Sequence, residues 1–156
     1  MRLIILKNDK IMKRTISLSS QSHLQMVKDD IAHGITLRFV ANSNSMRPFI
    51  VAERDEVILK LVDENSFQKG AILFAELGEK HHVAHRLIEV EGDNLVLRGD
   101  ANLKLIEMCG RGDVIAEVVA VVRKGRKVKK GSPTWNFYRY FWPKTPQIRK
   151  VLLHLF

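Results

Sequence analysis

The chain has 156 residues, 46% apolar and 28% charged, the proportions of a globular domain with room for one hydrophobic core. A single cysteine, Cys109, excludes an internal disulfide framework and any multi-cysteine metal site, and neither metal nor cofactor is expected. The net charge is +9, but from Arg123 onward there are ten Lys and Arg and no Asp or Glu, so the preceding residues form a near-neutral body.

Residues 1–18 show no clear periodicity. Met1 to Leu6 is apolar for too few residues before Lys7 and Asp9 to be the core of a secretory signal. Ser19 or Ser20 is placed to cap a helix running to about His33. Leu24, Val27 and Ile31 give it one apolar face, and Gly34 is placed to end it. Strands are predicted over Ile35–Val40, Glu56–Val62 and Ala71–Ala75. Val83–Val90 and Leu95–Arg98 flank the turn formers Gly92-Asp93-Asn94 and read as a hairpin. Val114–Val122 is a further strand. It is the longest apolar run, but Glu117 interrupts it and a bilayer needs roughly 20 apolar residues. These elements predict a mainly β fold, a coiled and partly closed sheet with one N-terminal helix.

Lys124–Lys130 is a charge run that reads as a solvated edge or linker. Both tryptophans, both tyrosines and three phenylalanines follow from Trp135 on. Thr145 and Pro146 can open a last helix, with Ile148, Val151, Leu152 and Leu155 on one face and Arg149 and Lys150 opposite. Three regions are thus expected: 1–34 with one helix, 35–122 as the β domain, and 123–156 as a basic aromatic tail. Such a tail suits an anionic membrane surface; the alternative is that Trp135–Trp142 packs onto the β body and the basic run is merely solvated. The expected location is cytoplasmic, peripheral at the membrane. Oligomeric state is not legible.

Three short segments carry candidate chemistry. Ser45 follows a predicted strand in the polar turn Ser43-Asn44-Ser45-Met46-Arg47-Pro48, where Asn44 tolerates a left-handed backbone. A serine hydroxyl needs a base before it becomes a nucleophile. His85, within a strand, is of the residue type that accepts a proton near neutral pH; His81 and His82 are alternative bases. Asp100, in Gly99-Asp100-Ala101-Asn102, could orient such a histidine. Each segment alone also reads as an ordinary turn or strand.

In this order and separation the segments resemble the type I signal peptidase family over about Thr36 to Gly125. Ser43–Pro48 is similar to its Ser-Gly-Ser-Met-x-Pro, Lys69–Phe74 to its Gly-Asp-hydrophobic strand, and Ala84-His85-Arg86 and Gly99-Asp100-Ala101-Asn102 to its later segments. The resemblance implies coiled β-sheets with a groove for an extended peptide, cleaved after small residues. Histidine in place of the housekeeping lysine points to the Ser-His subgroup similar to the endoplasmic-reticulum enzyme. By position, Ser45 is the nucleophile and His85 the base. The Ser43 side chain and the Ser45 N–H form the oxyanion hole, and Asp100 is the acid. Glu107, alone among acidic residues between Leu103 and Met108, stands as the alternative acid. Asn44 replaces the family glycine, Ala71 follows Gly70, and the family's membrane anchor has no counterpart. The function expected is a serine endopeptidase acting on a protein or peptide. The alternatives are a self-cleaving repressor-like peptidase, which would use lysine as base, and a non-catalytic membrane-surface or nucleic-acid binder. Nucleic acid is disfavoured because the positive charge is confined to the tail.

Overall fold

The computed structural model describes residues 2–7, 10–15, 21–78 and 81–155. In chain order the elements are β1 (Arg2–Lys7), β2 (Lys10–Thr15), α1 (Gln21–Ala32), β3 (Leu37–Val40), β4 (Asp55–Lys60), β5 (Ile72–Glu76), β6 (His82–Glu91), β7 (Asn94–Arg98), β8 (Glu107–Gly110), β9 (Val114–Arg123) and β10 (Arg126–Lys129). Then come α2 (Pro133–Asn136), a π-helical turn over Phe137–Phe141, and α3 (Pro146–Leu153).

The fold is mainly β, as the sequence implies. One antiparallel sheet runs β2-β1-β3-β4-β9-β5-β6-β7-β8. Its end strands, β2 and β8, do not pair with each other, so the sheet is open. Strand β9 organises it. On one edge it pairs with β4; on the other it pairs first with β5 and then with β10.

Alternation along the strands builds two cores. On β5, Ile72 and Phe74 join a cluster with Phe39, Leu59 and Val118, while Ala71, Leu73 and Ala75 join Leu87, Leu95 and Leu97 on the other face. Helix α1 covers the first cluster with Leu24, Val27 and Ile31, the three residues its periodicity marks. Each such side chain contributes roughly 1.5–3 kcal/mol when fully buried. Gly34, at φ +76°, ends the helix as expected. The cap expected at Ser19 or Ser20 lies outside the described residues.

The basic tail is not the separate unit the charge pattern suggested. Of the two readings of Lys124–Lys130, edge and linker, the edge holds, because β10 lies within it, pairs with β9 and is largely exposed. Trp135 is 1% exposed and packs edge-on against Phe49, with ring centroids 5.2 Å apart. Tyr138 stacks on the same phenylalanine at 4.7 Å. Helix α3 opens at Pro146, as the sequence implies. Thr145 is its N-cap, but its side chain makes no capping bond. Ile148, Val151 and Leu155 are 52%, 65% and 74% exposed, and Arg149, on the opposite face as expected, is 4% exposed because that face lies against the body. The burial of Arg149 has a local cause. Arg149 Nε donates to the Pro143 carbonyl and its Nη1 to that of Asn102, bonds available only on the body side.

Candidate active site

Ser45 sits in the long connection between β3 and β4, and this connection is tied down at several points. The Asn44 carboxamide oxygen accepts the Ala52 N–H at 3.0 Å, and the Asn44 carbonyl accepts the Arg47 N–H at 3.1 Å. Asn44 does not use the left-handed backbone its type tolerates; among the described non-glycine residues only Glu53 and Lys124 have positive φ. It fixes the turn through its side chain instead. The Ser45 carbonyl accepts the Ala101 N–H at 2.8 Å. This brings Gly99 against the serine turn so closely that a Cβ there would lie 2.5 Å from the Ser45 oxygen. Only glycine fits.

His85 lies on β6, 4% exposed. Its Nε2 is 2.9 Å from Ser45 Oγ and its Nδ1 is 2.6 Å from Glu107 Oε2. The three groups form a continuous hydrogen-bonded relay from hydroxyl to carboxylate. Sheet register explains the carboxylate. Leu87, Leu97 and Glu107 stand in one row across β6, β7 and β8, and His85, two residues from Leu87, shares their face.

Asp100 is therefore not the group that holds His85. Arg86 and Arg98 are register partners on the opposite face, and Asp100 continues that face beyond the end of β7. It forms a bidentate pair with Arg86, Nε to Oδ1 at 2.8 Å and Nη2 to Oδ2 at 2.6 Å, and is 1% exposed. Trp142 Nε1 donates to its carbonyl at 2.9 Å. The turn role and the ion pair belong to Asp100; contact with the imidazole belongs to Glu107.

The two expected oxyanion donors lie side by side. The Ser45 N–H donates to Ser43 Oγ at 3.2 Å. His81 and His82 line the same cleft as Ser45 and His85, but the ring that reaches the serine is that of His85. Burial pushes the His82 imidazole below the ordinary histidine range, with Glu76 opposing. The cleft has a volume of about 480 Å³, and Met46, Ile50, Val57, Phe74 and Ala84 give it an apolar floor. Among the described residues, no cluster of three or more His, Cys, Asp or Glu side chains is arranged to hold a metal ion.

Asp55 anchors the base of the serine connection, a role the sequence did not single out. It is fully buried and accepts from Arg54, from Arg123 and from the Val51 N–H. Burial acts to raise its carboxyl, but these donors outweigh it and hold the group below the usual carboxylate range. Arg123 also donates to the Phe49 carbonyl at 2.7 Å, joining the connection to the end of β9.

Comparisons with protein-family models, with curated proteins and with solved structures find no match to this chain. The site's meaning rests on its geometry and on the resemblance of its motifs.

Proposed function

We propose that the chain is a serine endopeptidase of the signal-peptidase-like type, with Ser45 as nucleophile, His85 as general base and Glu107 as the residue that orients it. The observation that carries this reading is the Ser45–His85–Glu107 relay opening onto an apolar cleft. The chemistry follows from the geometry. His85 Nε2 takes the Ser45 proton as Oγ attacks the scissile carbonyl carbon, and Glu107 stabilises the imidazolium that forms. The carbonyl oxygen becomes an oxyanion. It would displace Ser43 Oγ from the Ser45 N–H, and rotation of the Ser43 hydroxyl would then offer a second donor. The imidazolium returns its proton to the leaving amine, and water releases the acyl group by the same steps in reverse. The cleft floor favours a small apolar residue before the cleaved bond.

The test is intact-mass analysis of peptides with alanine-like residues before a candidate bond, using wild type, Ser45→Ala and His85→Ala. Loss on the order of 10³-fold or more in either variant, with folding retained, is expected for members of such a unit. Near-wild-type turnover in both folded variants would remove the peptidase assignment.

A second reading concerns location and is compatible with the first. Phe141, Ile148, Val151 and Leu155 are exposed on the basic tail, and exposed apolar clusters of this kind mark interaction surfaces. An anionic membrane surface fits both their character and the local charge. Among the described residues no helix is long and apolar enough to cross a membrane. Flotation on anionic liposomes that weakens with salt is expected, and its absence at low salt would remove this reading.

A further inference from the structure

The face of β6 opposite His85 carries a second cavity, of about 350 Å³, within the range of small-ligand sites. Its lining includes Lys69, Arg86, Arg98, Arg139, Lys144 and Arg149, with one carboxylate, Asp100. That carboxylate is already engaged by both prongs of Arg86. Among the described residues no carboxylate pairs with the other five cations. They are drawn together from three distant parts of the chain, and such a concentration of like charge is unfavourable until an anion enters it.

The site is built rather than incidental. Gly70, at φ +91°, leaves room for Arg139: a Cβ there would lie 2.6 Å from Arg139 Cγ. The Arg139 Nη2 donates to the Lys69 carbonyl at 2.8 Å, which positions the guanidinium without neutralising it. Arg149 is buried among carbonyl acceptors in the same way. Burial lowers its pKa to about 10; the neighbouring Arg98 and Arg86 charges act in the same direction, and the Asp100 carboxylate opposes them. The Nε atoms of Arg98 and Arg139 are shielded from solvent and lack a hydrogen-bond partner. Tyr138, Tyr140 and Trp142 wall the cavity.

We propose that this cavity is a binding site for a phosphate group, carried on a lipid headgroup or on a small soluble phosphate. A phosphate supplies both the negative charge the cavity lacks and acceptors for the fork of an arginine. The proposal does not depend on the peptidase reading, because none of its residues belongs to the Ser45–His85–Glu107 relay.

The test uses the full chain and tryptophan fluorescence, since Trp142 lines the cavity. Inorganic pyrophosphate is titrated at fixed ionic strength, with sodium chloride as the blank. Saturable quenching or enhancement absent from the blank is expected. Its midpoint should weaken by about tenfold or more in Arg98→Gln/Arg139→Gln, the loss that removal of charged hydrogen bonds brings. The control is Lys124→Gln/Lys127→Gln, which removes equal charge outside the cavity and should leave the midpoint unchanged. Thermal unfolding checks that both variants are folded. If the cavity variant does not fold, Lys144→Gln, at an exposed position on the rim, replaces it. A second arm sediments vesicles of phosphatidylcholine with and without phosphatidic acid. Binding to the latter that pyrophosphate displaces assigns the phosphate to a lipid; pyrophosphate binding without vesicle binding assigns it to a soluble ligand. No saturable signal, or equal weakening in the control, overturns the proposal.

Discussion

Asp100 and Glu107 show how a side chain's face decides its role. Both are acidic and both lie beyond β7, yet one meets a guanidinium and the other an imidazole. Asp100→Asn should leave Arg86 as an uncompensated buried cation and cost about 3–5 kcal/mol of stability, with kcat/KM of the folded protein little changed. Glu107→Gln should do the opposite: stability nearly retained, and kcat/KM lowered by about 10²–10⁴, because the imidazolium loses its counter-charge. Urea midpoints and turnover at a temperature where both variants are folded separate the two effects, and the reverse ranking would return the acid role to Asp100. Ser45 and His85 stand out in the sequence through the order and separation of their motifs and the resemblance these carry, since each segment alone reads as an ordinary turn or strand. The partner of His85 does not, because it depends on the β7–β8 register across a connection whose length carries no information about pairing. Gly99 belongs with them. Its necessity comes from contact with the Ser45 carbonyl, which no local pattern announces.

Apolar periodicity located the central strands to within a few residues, since β4, β5, β6, β7 and β9 each present alternating or continuous buried runs. It failed for β1 and β2, which lie in a stretch without clear periodicity yet extend the sheet beside β3, and for β8 and β10, which are four residues long. In β10, Arg126, Lys127 and Lys129 are charged, a composition typical of edge strands that must avoid further pairing. Its strand character comes from the free edge of β9. The connection from β3 to β4 has the sequence of a polar turn, and its rigidity is likewise tertiary, supplied by Asp55 and Arg123. The Asp55 carboxyl is held below its unfolded value, so its contribution is complete above the unfolded range, about pH 4, and disappears as pH falls through the folded value. Asp55→Asn should therefore lower stability by on the order of 3 kcal/mol at neutral pH. The gap between wild type and variant should narrow as pH falls from 7 towards 3. Unfolding midpoints across that range measure it, and a gap that stays constant or widens in acid would show that the carboxylate charge is not what holds this connection.

Across the whole molecule, the division into a neutral body and a cationic tail is real as charge and absent as packing. Charge counts are additive along a sequence; burial is not. The tail's cations reach outward from β10 and inward around the second cavity, while its two tryptophans go into the body. Trp135 closes the first core beside Phe49, and Trp142 lies beside the Arg86–Asp100 pair. That pair is one residue from Ala101, whose N–H holds the Ser45 carbonyl, so the tail braces the serine turn from behind. A chain ending after Lys130 should consequently be more than a shortened protein. Loss of a buried tryptophan costs about 3–5 kcal/mol, and two such losses rival the whole stability of a domain, about 5–15 kcal/mol. Arg86 and Asp100 would also be opened to water. The truncated chain should lose near-ultraviolet circular dichroism and cooperative thermal unfolding, and Trp135→Ala in the full chain should reproduce part of that loss. A truncated protein that melts sharply, with a urea midpoint close to that of the full chain, would show that residues 131–156 are an appendage after all.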